Sequence, residues 1–318
     1  MKTYLYTSQS FDAFENLARD EYLLNTLGED DLALYFYINR SAVIIGKNQC
    51  RWTEVDNEKI CADKVQCVRR VTGGGAVYHD MGNLNYSFIA GKNRYDIDAQ
   101  RELIRKALAA FGIEAQATGR NDLTIDGRKF SGTAYCTRNG VRQSHGTLLV
   151  SVNKDAMGKY LSPSKLKLQS HGVKSVRSRV CGLDEFSADI TVENLRQTLE
   201  NLFVEAYDPV EVPVFERELL GALVEKYRSP DWFSSSGLKN CQYAETRLSF
   251  GNVRLELTVN GSGVVEKVKL YTDAMDYTLP ERVEPVLTGV RFDKKEIASA
   301  LSAAGFDELA AWAETLEL

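Results

Sequence analysis

The chain has 318 residues, enough for one large domain or two of ordinary size, and at 44% hydrophobic and 26% charged it has the make-up of a globular protein. Its 39 Lys and Arg against 44 Asp and Glu leave a formal net charge of −5, which argues against a nucleic-acid-binding protein but leaves room for a small basic pocket. The first twenty residues carry no continuous apolar core, no stretch approaches the roughly 20 apolar residues of a membrane span, and the six cysteines and three histidines show neither disulfide-framework nor zinc spacing, so a reducing cytoplasm is expected.

In chain order, Phe11, Phe14, Leu17, Ala18, Leu24 and Leu27 recur at near-helical spacing and predict a helix over residues 11–27. Two β-rich runs follow, Leu32–Ile38 and Ala42–Ile45, and Val65–Val71 predicts another strand. Gly73-Gly74-Gly75 interrupts it before Ala76-Val77-Tyr78, a turn at Asp80–Asn83 and a strand through Leu84–Ala90. After a helix over 97–111 come two hairpin turns, Asp126-Gly127 and Asn139-Gly140, which predict a three-stranded meander of Asp122–Ile125, Arg128–Thr137 and Val141–Val152. Strict alternation in its middle strand puts Lys129, Ser131, Thr133 and Tyr135 on one face and Phe130, Gly132 and Ala134 on the other. Residues 162–187, rich in Ser, Lys and Arg, predict a long functional loop. Helices follow over 192–206, with Thr191 as N-cap, and over 215–227. Ser229–Leu238 predicts an interdomain linker. Strands at 246–250, 253–259 and 264–271 and helices at 281–288, 293–304 and 307–316 then predict a small α+β domain. The division expected is therefore 1–237 and 246–318.

Three features could carry chemistry. Successive glycines at 73–75 let backbone N–H groups approach an anion closely, and alternation turns one of Arg69 and Arg70 towards that loop. By itself the pattern reads first as a tight inter-strand turn with solvated arginines. Lys129 follows a hairpin turn beside small residues, and Gly132 inside the strand marks a place where a ligand can approach. Asn121-Asp122 opens the neighbouring strand and could supply a polar group or a carboxylate for magnesium. His145 has no deducible Ser or Asp partner, so a catalytic triad has no support.

Taken together, Arg69-Arg70-Val71-Thr72-Gly73-Gly74-Gly75-Ala76-Val77-Tyr78-His79-Asp80-Met81-Gly82-Asn83-Leu84-Asn85 resembles the signature of lipoate-protein ligases. Gly119–Leu123, Arg128–Tyr135, His145–Leu149 and Gly172–Val180 resemble that family's remaining motifs, in order, and residues 246–318 resemble the accessory domain of its two-domain bacterial members. The resemblance implies a large α/β domain around a mixed sheet, akin to the core of biotin ligases, with a small, mobile C-terminal α+β domain. It also implies a two-step reaction. Lipoate and ATP form lipoyl-AMP with release of pyrophosphate, and the ε-amine of an acceptor lysine then takes the acyl group. The acceptors implied are apo lipoyl domains of 2-oxoacid dehydrogenase complexes or the glycine-cleavage H protein.

On this resemblance Lys129 touches both the carboxylate and the α-phosphate and is the catalytic cation. Arg70, Gly75, Ala76, Val77, Tyr78, Asn121 and Asp122 join it in holding ATP or the adenylate, with Asp122 the candidate ligand for Mg²⁺. Lipoate falls to Lys129, Arg70, Gly73, Gly74, His145 and Gly46, with Val43–Gly46 as a slot for the apolar tail. The loop 172–183 is the segment implied to order over the adenylate. A cytoplasmic monomer that touches neither nucleic acid nor membrane is expected. Two alternatives stay open: Cys136, just past the lysine motif, suits a related octanoyl transferase that works through a thioester without ATP, and a non-catalytic relative would only bind lipoate.

Overall fold

The computed structural model describes residues 1–118, 121–161, 180–208, 210–233, 238 and 241–316. Its frame is a seven-stranded mixed sheet. In chain order the strands are β1 (Thr3–Thr7), β2 (Leu32–Tyr37), β6 (Asn83–Gly91), β7 (Gln116–Thr118), β8 (Asp122–Ile125), β9 (Arg128–Arg138) and β10 (Val141–Leu149), arranged β1-β2-β6-β10-β9-β8-β7. Only the β1–β2 pair is parallel. A second sheet sets β3 (Ser41–Ile45) between β4 (Gln66–Arg69), parallel to it, and β5 (Val77–Asp80), antiparallel to it. The runs Leu32–Ile38 and Ala42–Ile45 therefore belong to different sheets. The glycine segment is not a tight hairpin turn, because it joins the two outer strands of the small sheet across β3.

Each face of the large sheet carries its own core. Helices α4 (Ile97–Ala109) and α6 (Val192–Tyr207) pack on one face through Leu103, Ile104, Leu195 and Phe203, against Phe88, Leu123 and Phe130. Thr191 caps α6, its hydroxyl accepting from Asn194 N. Helices α1 (Ala13–Thr26) and α7 (Arg217–Arg228) cover the other face through Leu17, Leu24, Leu223 and Tyr227, against Tyr35 and Ile89. Asp12 caps α1 by accepting from the amides of Phe14 and Glu15. Short helices α2 (Arg51–Glu54), α3 (Asn57–Ala62) and α5 (Lys154–Tyr160) close the small sheet, with Val43, Ile45, Ile60 and Tyr160 in a separate cluster.

Both hairpin turns form as the sequence requires. Asp126, Gly127, Asn139 and Gly140 all have positive φ, between 50° and 80°. Between the turns, alternation fails at one point. Leu123 opposes Ser131 while Thr124 opposes Lys129, so Phe130 is an extra residue, a β-bulge. Phe130 sinks fully into the α4–α6 core, and Lys129 moves onto the face of Gly132 and Ala134 instead of joining Ser131, Thr133 and Tyr135.

The segment expected as a linker is partly built structure. Pro230–Phe233 forms a short helix, α8, whose Trp232 indole donates to Arg69 O at 2.8 Å; the run Ser234–Gly237 lies outside the described residues, as does 162–179 of the expected loop. Beyond it, β11 (Gln242–Leu248), β12 (Gly251–Val259) and β13 (Val265–Thr272) make an antiparallel sheet backed by α9 (Leu279–Leu287), α10 (Lys294–Ala303) and α11 (Asp307–Ala313), with its own core of Leu255, Leu270, Val283, Ile297 and Leu309. This small unit docks on the glycine loop. Gly74 N donates to Ala274 O at 3.1 Å, Thr272 N to Asn48 O at 2.9 Å, and Tyr277 OH to Thr137 O.

Candidate active site

Arg69 and Arg70 leave the end of β4 in opposite directions, and both are buried. Arg69 donates to the carbonyls of Gly46, Lys47 and Gln49, each at 2.9 Å, and to Phe233 O, so it shapes the turn after β3 and is not solvated. Arg70 turns to the glycine loop. Its Nη2 donates to Gly73 O at 2.6 Å and Gly75 O at 2.8 Å, its Nη1 to Ile44 O, and its Nε to Thr72 Oγ1 at 3.0 Å. Burial pulls its pKa down to about 10, which still leaves it charged at neutral pH. Among the described residues no carboxylate is paired with it, and such a buried cation favours an incoming anion.

The guanidinium borders a cavity of about 540 Å³, within the range that small-molecule sites occupy. One wall is Gly74, Gly75, Ala76, Val77 and Tyr78. The opposite wall is Asn121, Asp122, Lys129 and Gly132, brought together by the β8–β9 hairpin and its bulge. Lys129 Nζ lies 2.7 Å from Asp122 Oδ1, with both side chains about one-third exposed. Gly132 is what makes room for the ammonium, since a Cβ there would stand 2.8 Å from Nζ. Val180 bridges to Lys129, and Cys181 N donates to Lys129 O, so the described end of the expected 172–183 loop pins this strand. The inner, buried end of the cavity mixes Leu17, Tyr37 and Ile44 with His79, Asn85 and His145.

Most residues expected from the sequence meet here. Arg70, Gly74, Gly75, Ala76, Val77, Tyr78, Asn121, Asp122, Lys129 and His145 all line the one cavity. Gly46 and Gly73 do not. A Cβ on Gly46 would meet Gly74 O at 2.1 Å, and one on Gly73 would meet Ala274 O at 2.4 Å, so these glycines allow backbone to pack on backbone. Of the Val43–Gly46 slot only Ile44 reaches the cavity, because Val43 and Ile45 face the cluster on the other side of the small sheet. Cys136 is buried in the α1 cluster, outside the cavity lining, and burial raises its thiol pKa, the reverse of what a thioester-forming nucleophile needs.

Several contributors had no role in the sequence reading. Tyr37 and His79 form the inner end, and burial pushes His79 down to about 3, so its ring is neutral; Asn39 Nδ2 donates to its Nδ1 at 3.1 Å. Met275 reaches in from the C-terminal unit, its Sδ 3.7 Å from Asn121 Nδ2. His79 stands within the glycine signature and could have been found there; Met275 lies 154 residues beyond Asn121 and carries no local signal.

Two family descriptions match the chain: the lipoyl protein ligase A/B catalytic domain over residues 12–204 and the bacterial lipoate protein ligase C-terminus over residues 241–316. The chain belongs to the lipoate-protein ligase family. It is 35% identical to lipoate-protein ligase A of Psychrobacter cryohalolentis, covering 97% of this chain and 93% of that protein, and 34% identical to lipoate-protein ligase LplJ of Bacillus subtilis, covering 90% and 89%. Among solved structures, P. falciparum LipL1 in complex with lipoate is similar over 98% of both chains, with a TM-score of 0.83 and 26% identity. A lipoate-protein ligase A bound with ATP matches at a TM-score of 0.58 and 25% identity, over 73% of this chain and 97% of that one. The bipartite ligase of Thermoplasma acidophilum, described with its E2 lipoyl domain, matches at 0.61 and 27%, over 73% and 95%. The enzyme is thus a lipoate-protein ligase by family, with a large mixed-sheet unit and a small C-terminal one.

Proposed function

We propose that the enzyme activates lipoate with ATP, in the cavity between the glycine loop and the β8–β9 hairpin, and passes the acyl group to a lysine of an apo lipoyl domain or a glycine-cleavage H protein. The observation that carries this reading is the convergence of two cations, Arg70 and Lys129, on one cavity that Leu17, Tyr37 and Ile44 also line. Lipoate and ATP are both anionic, so their repulsion has to be cancelled where the carboxylate oxygen attacks the α-phosphorus and pyrophosphate leaves. Arg70 stands at the junction of the glycine loop and the inner end, as the acid's carboxylate requires. Lys129 stands on the opposite wall with a compact ammonium that can touch carboxylate and phosphate together. Gly75, Ala76, Val77, Tyr78 and Asn121 offer backbone and side-chain partners for the nucleotide, while Leu17, Tyr37 and Ile44 give the acyl chain an apolar bed.

A magnesium ion accompanying ATP fits Asp122. It is a partly exposed carboxylate on the cavity wall, no group of three or more acidic, His or Cys ligands occurs among the described residues, and Mg²⁺ commonly takes one or two carboxylates with phosphate and water completing its shell. The ion would supply charge neutralisation at the phosphates, and Asp122 would exchange its pairing with Lys129 for it. In the second step the acceptor amine attacks the acyl carbon of the mixed anhydride, forming the amide and releasing AMP. The relatives solved with lipoate, with ATP and with an E2 lipoyl domain support each partner in turn. We further propose residues 1–237 and 246–318 as the two domains and a cytoplasmic monomer as the working form; no helix among the described residues is long and apolar enough to cross a membrane.

The test is lipoate-dependent exchange of radiolabelled pyrophosphate into ATP. Wild type should exchange, and Lys129→Ala should lose about a hundredfold or more while its melting temperature barely moves. Exchange retained in Lys129→Ala would remove the lysine from the reaction.

A further inference from the structure

Asp20 occupies the buried face of α1, one turn on from Leu17 and one before Leu24, with only 2% of its surface exposed. A carboxylate in such a place is costly, and an apolar side chain would pack there more cheaply. Its Oδ2 lies 2.8 Å from His145 Nδ1, and its Oδ1 has no hydrogen-bond partner. His145 Nε2 lies 2.8 Å from Thr72 Oγ1, which in turn is 3.0 Å from Arg70 Nε. All four residues are buried.

Elementary donor rules give this chain one direction. A guanidinium can only donate, so Thr72 Oγ1 accepts from Arg70 and keeps its own proton for His145 Nε2. The Asp20 carboxylate can only accept, so Nδ1–H donates to it, and in a singly protonated ring Nε2 then accepts from the Thr72 hydroxyl. At its other end the chain terminates on the guanidinium that gathers Gly73 O and Gly75 O and borders the cavity.

We propose that Asp20 and Thr72 are positioning residues for substrate binding: Asp20 fixes the His145 tautomer, His145 orients the Thr72 hydroxyl, and that hydroxyl aims Arg70 and sets the glycine loop for the acid's carboxylate. The arrangement gives Arg70 a negative counter-charge three hydrogen bonds away and leaves no carboxylate against the guanidinium itself, so its charge stays available to substrate. The inference rests on the proposed activation of lipoate at this site, and it assigns work to two residues outside the substrate contacts described above.

The full-length protein tests it in two ways. Side-chain ¹⁵N NMR, with the His145 signals assigned by their loss in His145→Gln, should show the Nδ1–H tautomer. Asp20→Asn, which can turn an amide N–H to the ring, should shift that tautomer towards Nε2–H. In lipoate-dependent ATP–pyrophosphate exchange, Thr72→Val should raise the KM for lipoate about tenfold or more, since one hydrogen bond to a charged group is lost. Thr72→Ser, which keeps both hydrogen bonds, should stay within about threefold of wild type. A ring protonated on Nε2, or a folded Thr72→Val with an unchanged KM, would overturn the proposal, as would a Thr72→Ser as defective as the valine variant. If wild type shows no lipoate-dependent exchange, the activation reading fails instead, and the tautomer still decides whether the chain of hydrogen bonds exists.

Discussion

Replacing Gly132 by alanine asks whether the ammonium of Lys129 has to sit where the bulge puts it. The added methyl would stand 2.8 Å from Lys129 Nζ and 2.9 Å from Cε, with Asp122 Oδ1 next at 4.0 Å. The obstructing atoms are the far end of a flexible side chain, so the fold can yield cheaply, and a melting temperature within a few degrees of wild type is expected. Function cannot yield so easily. To restore an ordinary contact of about 3.4 Å the ammonium must withdraw by about 0.6 Å, which can stretch the 2.7 Å pairing with Asp122 without breaking it and shifts the cation on the cavity wall. Misplacement on the order of 1 Å typically costs about a hundredfold in rate, so Gly132→Ala should lose roughly ten- to a hundredfold in pyrophosphate exchange. The loss should fall on kcat more than on the KM for lipoate, because Arg70 is untouched. Full exchange activity in a folded Gly132→Ala, or a loss confined to KM, would refute the reasoning from Lys129's position.

Further expectations follow from other contacts. Gly73→Ala places a Cβ 2.4 Å from Ala274 O and 2.8 Å from Met275 O, both backbone, so the C-terminal unit should loosen at a cost of about 1–3 kcal/mol. Faster hydrogen exchange of the Gly74 amide, which donates to Ala274 O, would report it, and an unchanged rate would contradict it. Cys136→Ser should retain exchange and acyl-transfer activity within a fewfold, because the thiol is buried away from the cavity; a complete loss in a folded variant would revive the thioester route. Glu21 gives a pH dependence. Burial raises its pKa, but hydrogen bonds from Arg138 and Lys226 outweigh that and leave it below the ordinary 4.5. Its contribution to stability is therefore present above 4.5 and is lost as pH falls through the lowered value. The gap in melting temperature between wild type and Glu21→Gln should narrow from about pH 7 to about pH 3.5, and a gap that widens would show the sign to be wrong.

Local signals in the sequence read well because their causes are local. Asp126-Gly127 and Asn139-Gly140 make their turns through positive φ, Thr191 caps its helix, and the C-terminal helices and its strands at 253–259 and 264–271 appear close to where periodicity puts them, whereas the strand expected at 246–250 begins earlier, at Gln242, and ends at Leu248. The site was legible as a set of motifs, and ten of the expected residues do border one cavity. What could not be read locally depends on long-range packing. Strict alternation misplaces Lys129 because the α4–α6 core takes Phe130 and forces a bulge. Leu32–Ile38 and Ala42–Ile45 are near neighbours in sequence, yet each finds its hydrogen bonds in a different sheet, which no local pattern states. Strand β1 drew no attention, since its partners are β2 and, through Tyr4, Glu211. Gly46 and Gly73 belong to the loop's packing rather than its cavity face, and Asp20 and Met275 reach the site from helices and loops far away in sequence.

The most direct test of the central claim is intact-mass spectrometry of an unmodified lipoyl domain or H protein incubated with the enzyme, lipoate and Mg-ATP. The account predicts a single lipoyl increment that disappears when ATP is left out and when Lys129→Ala replaces wild type. An increment that survives without ATP, or no increment on either acceptor together with no release of pyrophosphate, would contradict it.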